Sequence, residues 1–183
     1  MQEVILALIL AVAIEVGVPP QFVLSIAYVE HWNKSIEETV IDPEAVSKPN
    51  RNGSVDLGVM QINSFYLDEF VELHWDKAWE FDWETPYDNV YLGCRIIKWL
   101  MRHCSTYWAV AVAYNCGLSR MQSGHPPLSS TRYADRVLAV WNELTGGKAE
   151  TLILYSYDEF QILVWAFAIL YRVQNGVSYV NKN

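Results

Sequence analysis

Ile26–Ser35 reads IAYVEHWNKS, an apolar helical run that closes on a carboxylate, Glu30. Val23, Ile26 and Ala27 lie seven, four and three residues before it, so a helix that buries them carries Glu30 on the same face. A carboxyl in that position is desolvated, which favours its neutral form and keeps a proton available near neutral pH. The competing reading is a solvated glutamate at a helix end, because Glu is seldom buried without a partner. The segments on either side decide between the two, and with them the fold.

Upstream, Val4, Ile5, Leu8, Ile9, Val12 and Val16 recur at helical spacing. Gly17 and Pro19-Pro20 then stop this helix and start the one that ends at Glu30. The opening MQEVILALILAVAIEVGVPP has no basic leading region, carries Glu3 and Glu15, and lacks a small-residue cleavage pattern. It is therefore expected to be a folded helix rather than a secretory leader. Downstream, Asp42-Pro43, Lys48-Pro49-Asn50 and Asn52-Gly53 are turn formers, so the stretch from Asn33 to Asn63 is expected to be irregular or to hold short hairpin strands. Long segments of this kind often carry function.

Helical character returns from Ser64 to His74, and again in DNVYLGCRIIKWLMRHC, for which Asp88 is the expected N-cap. Ser105 or Thr106 caps TYWAVAVAYNCG, where Ala109, Ala111 and Ala113 allow close packing and Gly117 ends the helix. Past the link SGHPPLSS, TRYADRVLAVWNEL reads as an amphipathic helix stopped by Gly146-Gly147. A domain over residues 1–144 is expected, followed by an extension over 145–183 whose apolar element FQILVWAFAILYRV forms a helix packed on the domain. The apolar run from Ile162 to Leu170 falls short of the roughly 20 residues a bilayer requires, so no transmembrane span is expected.

The 183 residues are 52% hydrophobic with eight Trp and eleven Tyr, enough for a dense core or a cleft for flat amphipathic ligands. The net charge of −8 and the lack of a Lys/Arg cluster argue against nucleic-acid binding. Attraction of an anionic substrate would have to be local, through Lys48 and Arg51. Cys94 and Cys104 fall on one expected helix, about 15 Å apart, beyond the roughly 7 Å a disulfide spans; with Cys116 they are read as free thiols. His31, His74, His103 and His125 have no ligand spacing and no CxxC is present, so neither a metal nor a cofactor is expected. Trp75, Trp79 and Trp83, spaced by four, read as a buried helix stripe more than as a sugar platform.

Four segments, IAYVEHWNKS, SVDLGVMQINS, AVAYNCG and RYADRV, resemble in order and spacing the lytic transglycosylase and goose-type lysozyme superfamily. That family carries a glutamate at a helix end, then GLMQI, then YNAG, then a late tyrosine. The DLGVMQIN form is most similar to the small cell-wall-opening transglycosylases of conjugation, secretion and phage systems. The resemblance covers roughly residues 1 to 144 and rests on linked motifs, not on one.

The resemblance implies a mainly α, lysozyme-like domain with a substrate cleft and a short irregular or β-hairpin segment. It also implies that Glu30 is the catalytic acid and that the partner is the glycan strand of peptidoglycan. Glu30 would protonate the oxygen between N-acetylmuramic acid and N-acetylglucosamine while the substrate's own N-acetyl group shields the developing positive charge. The carboxylate would then take the proton of the muramic C6 hydroxyl, closing a 1,6-anhydro ring. Met60 and Gln61 would line the cleft, Tyr114 would orient Glu30 by a hydrogen bond, Asn115 would hold the next loop, and Tyr133 would be the late cleft tyrosine. Gly58, having no Cβ, would let a sugar approach.

Asp56 is a candidate second carboxylate, although a turn aspartate bonded to backbone N–H groups is the plainer reading. Asn63 stands where goose-type lysozymes carry an aspartate, and an amide cannot act as a base, which leans toward transglycosylation over hydrolysis. His31 replaces the usual serine after the glutamate, and Cys116 the usual alanine. A hydrolytic muramidase and a non-catalytic glycan-binding or assembly module stay as alternatives. The expected setting is the bacterial cell wall, with a monomer acting as a phage endolysin, a virion component or part of a longer exported protein.

Overall fold

A computed structural model describes residues 2–147. The predicted extension therefore lies, from residue 148 on, outside the described residues. In chain order the elements are α1 (Gln2–Val16), α2 (Pro20–Glu30), β1 (Asp56–Leu57), β2 (Ile62–Asn63), α3 (Leu67–His74), α4 (Pro86–Met101), α5 (Tyr107–Cys116), α6 (Leu118–Gln122) and α7 (Leu128–Leu144). The fold is mainly helical, as expected, and no described helix is long and apolar enough to cross a membrane.

On α1 the buried residues Ile5, Ile9, Val12, Ala13 and Val16 form one stripe, and the helix packs on α2 and α4. Gly17, at φ 77°, turns the chain out of the helix, and the N–H groups of Gly17 and Val18 both close on the Ala13 carbonyl. With Pro20 at its start, α2 begins at once and is buried along its whole middle, from Phe22 to Val29. This helix is the axis of the domain: α1 packs on one side and α7 on another. Phe22, fully buried, meets Tyr107 of α5 at 5.0 Å and Trp141 of α7 at 5.1 Å between ring centroids. Burial of one such ring stabilises the fold by roughly 1.5–3 kcal/mol, so this aromatic contact holds α2, α5 and α7 in register.

The stretch from Asn33 to Asn63 is irregular and ends in an antiparallel hairpin pairing Asp56 with Asn63 and Leu57 with Ile62. Four other expectations are corrected. Asp88 does not cap α4; Thr85 precedes its first residue, Pro86. Asp88 is instead buried one turn in, accepting from Trp79 Nε1 at 3.2 Å and the Asp82 N–H at 3.1 Å, and so pins the preceding link. The tryptophan series is not a helix stripe, because α3 ends at His74; Trp75 meets Trp79, Phe81 and Tyr91 edge-on in an irregular segment. Cys94 and Cys104 do not share a helix, since α4 ends at Met101, and both are free thiols. Finally, a small cationic cluster does exist: spacing of three and four residues along α4 and the residue that caps its end brings Arg95, Lys98 and Arg102 around a cavity of about 290 Å³.

Candidate active site

Glu30 is the last residue of α2, and α7 brings Tyr133 against it across 103 residues of sequence. The Tyr133 hydroxyl donates to Glu30 Oε1 at 2.6 Å, the short distance of a hydrogen bond to a carboxyl. Burial pushes the Glu30 carboxyl up to about 8; the Tyr133 hydrogen bond opposes the rise and the Asp56 charge adds to it. Glu30 as a residue keeps partial exposure, while its carboxyl lies in desolvating surroundings. Such a group holds its proton at neutral pH and can deliver it.

The residue after it, His31, reaches the hairpin turn Gly58-Val59-Met60-Gln61. Gly58 at φ 69° and Gln61 at φ 47° give the turn its shape, and Gln61 is the lone non-glycine among the described residues with positive φ. Asn89, fully buried on α4, braces this backbone by accepting from the Met60 N–H at 2.8 Å and donating to the Leu57 carbonyl at 3.0 Å. Tyr114 on α5 donates to the Met60 carbonyl at 2.8 Å. His31 holds the neighbouring carbonyl: Nε2 donates to Val59 O at 3.0 Å while Nδ1 accepts from the Asp42 N–H at 3.4 Å. Acceptance by Nδ1 requires the neutral ring with its proton on Nε2, and burial lowers the His31 pKa in keeping with that. Acid, turn and the Asp42 loop are thus tied together through the residue that follows Glu30.

Asp56, on β1, is close enough for its charge to act on Glu30 and on Tyr114. Its oxygens are engaged: Asn63 Nδ2 donates to Oδ1 at 2.7 Å and Ser47 Oγ to Oδ2 at 3.3 Å.

The sequence model of the family described as Transglycosylase SLT domain matches residues 8–125. The chain belongs to this family. The SLT domain has curated relatives in the invasion protein IagB of Salmonella typhimurium, 31% identical over 114 residues, and of Salmonella typhi, 30% identical; each match spans 62% of this chain and 67% of the relative. In fold it resembles an inactive mutant of lytic transglycosylase Slt from Pseudomonas aeruginosa, with a TM-score of 0.55 at 14% identity over 84% of this chain. It also resembles the 70 kDa soluble lytic transglycosylase of Escherichia coli, with a TM-score of 0.52 at 20% identity over 78%. The chain spans about a quarter of those two, 26% and 24%. The family places this SLT domain among enzymes of the lytic transglycosylase class.

Glu30, Asp56, Asn63, Tyr114 and Tyr133 are gathered around one site in this SLT domain, but several do not do what their motifs implied. The hydrogen bond to Glu30 comes from Tyr133, not from Tyr114, which reaches the turn backbone instead. Met60 does not line the cleft: its side chain is fully buried and would strike any Cβ at Gly93, 2.7 Å from Met60 Cγ. The missing Cβ of Gly58 makes room for Asn89, whose amide stands 2.6 Å from where that Cβ would be. Gln61 braces the loop through Nε2, at 2.8 Å from the Gly58 carbonyl and 3.2 Å from that of Ala45. Asn115 is exposed at the end of α5. Asn89 and the role of His31 were missed; a lone amide inside the apolar helix DNVYLGC was the available signal for the first.

Proposed function

We propose that this chain cleaves the β-1,4 bond between N-acetylmuramic acid and N-acetylglucosamine in peptidoglycan, with Glu30 as its single acid and base. The observation that carries the reading is the carboxyl held by Tyr133 at 2.6 Å with its acidity weakened to about 8. Glu30 gives its proton to the glycosidic oxygen as the bond to the muramic C1 breaks. The carboxylate that results takes the proton of the C6 hydroxyl, whose oxygen bonds to C1 and closes the 1,6-anhydro ring. No water enters the product, and Glu30 is returned protonated.

A hydrolytic muramidase would need a second carboxylate free to activate water. Asp56 is the candidate, and its two oxygens already accept from Asn63 and Ser47, which favours the transglycosylase reading. Mass spectrometry of digested cell wall distinguishes them. Anhydro ends are expected; reducing ends throughout would establish the hydrolase, and glycan binding without soluble fragments would establish a binding module.

A further inference from the structure

We infer that Arg136, which lies over the ring of Trp32 two residues past the acid, recognises a carboxylate carried by the glycan substrate; this rests on the peptidoglycan reading above. Trp32 lies two residues past Glu30, and Arg136 lies one turn past Tyr133 on α7, about 4.5 Å along the helix. The hydrogen bond between Tyr133 and Glu30 aligns the two elements, and Arg136 Cζ is 5.3 Å from the centre of the Trp32 ring. A contact of this kind between a guanidinium and an aromatic face uses none of the N–H donors in a hydrogen bond, and these form the fork that matches a carboxylate.

The surrounding charges leave that fork unmatched. Ion pairs among the described residues join Lys34 to Glu38, Lys77 to Glu15 and Arg95 to Asp76, and Arg136 enters none of them. The acid beside it in sequence, Asp135, is drawn to α5, where Trp108 Nε1 donates to it at 2.9 Å. A cation presented on the aromatic ring that follows the acid by two residues, in a chain of net charge −8, is a local exception to the overall repulsion of anions. Two carboxylates of the substrate could meet it: the lactyl group of a muramic acid stripped of peptide, and an acidic residue of the attached peptide.

The test compares cleavage of three strand preparations by wild type, Arg136→Gln and Arg136→Lys. The strands carry intact peptides, carry only lactyl carboxylates after enzymatic removal of the peptides, or have every carboxyl converted to a methylamide. Wild type is expected to show a lower KM on a carboxylate-bearing strand than on the amidated one. Arg136→Gln should shrink that preference about tenfold, the scale of one charge-assisted pair, with part restored by Arg136→Lys. Loss on stripped strands assigns the lactyl group, and loss on peptide-bearing strands alone assigns the peptide. Equal effects of Arg136→Gln on amidated and untreated strands, or a wild type without preference, would overturn the assignment. Should wild type release no fragments from any strand, the transglycosylase reading fails; pelleting of protein with the same strands then decides the role of Arg136 by itself.

Discussion

The Tyr133 hydroxyl stands 2.6 Å from Glu30 Oε1, so the last helix of the described domain supplies the hydrogen-bond partner of an acid on the second. A carboxyl in desolvating surroundings gains both a fixed orientation and a moderated pKa from that single donor. Tyr133→Phe should keep the fold and lower kcat by about tenfold, since one hydrogen bond to the acid is removed. Without the donor the Glu30 pKa rises further, so the alkaline limb of the pH profile should move upward. Initial rates of fragment release across pH measure both effects, and an unmoved limb would mean that the hydroxyl has no hold on the acid.

Glu30→Gln removes the transferable proton while retaining an acceptor for Tyr133. Release of soluble fragments should fall by at least about a hundredfold, the lower bound of what a general acid contributes, with glycan binding preserved and the fold no less stable than wild type at neutral pH.

The pH dependence has a defined sign. With Glu30 as the proposed acid, activity should decline as pH rises through about 8, where the carboxyl loses its proton. The folded pKa lies above the ordinary value of 4.5, hence folding holds an extra proton in between. The stability this gives is fully present below about pH 4.5 and is lost progressively as pH rises through about 8. Thermal melts of wild type and Glu30→Gln should therefore diverge with rising pH, the variant becoming relatively more stable.

His31 behaves in the opposite sense. Its folded pKa is lowered below 6.5, first by burial, so the neutral ring is stabilised by folding and the contribution is present above 6.5. As pH falls from there through the lowered value, the ring charges, Nδ1 can no longer accept from Asp42, and stability declines. His31→Ser leaves the Val59 carbonyl and the Asp42 N–H without their partner, a loss of about 1–3 kcal/mol near neutral pH. Denaturant melts above pH 6.5 and at successively lower pH should show the gap between wild type and variant narrowing on the acid side.

Gly58→Ala should destabilise by roughly 2–4 kcal/mol, because a Cβ there meets Asn89 Nδ2 at 2.6 Å and the backbone is held at φ 69°. Loss of stability alongside unchanged affinity for glycan would agree with a packing role; weaker glycan binding at full stability would restore the reading of Gly58 as an opening for sugar.

Helix type and order were legible from the chain alone, because they follow from local patterns. The stripe in α1, the Gly17 and Pro20 junction, and the Thr106 cap that accepts from Ala109 N at 3.1 Å each involve residues within a few positions of one another. Glu30 was legible for the same reason: the apolar face behind it is written within seven residues. The linked motifs pointed to the family, whose match ends at residue 125 and so stops short of Tyr133.

Long-range pairing was decided by the tertiary structure. Which tyrosine meets Glu30 depends on how α7 packs on α2, and Tyr114 and Tyr133 offer the same chemistry in sequence. Likewise Met60 and Gly58 look like cleft residues until α4 arrives with Asn89 and Gly93 to fill the space beside them. Periodicity encodes the face of a helix, but a hydrogen bond across 103 residues exists only once the core has closed, and it is that closure which turns a buried carboxyl into an oriented acid.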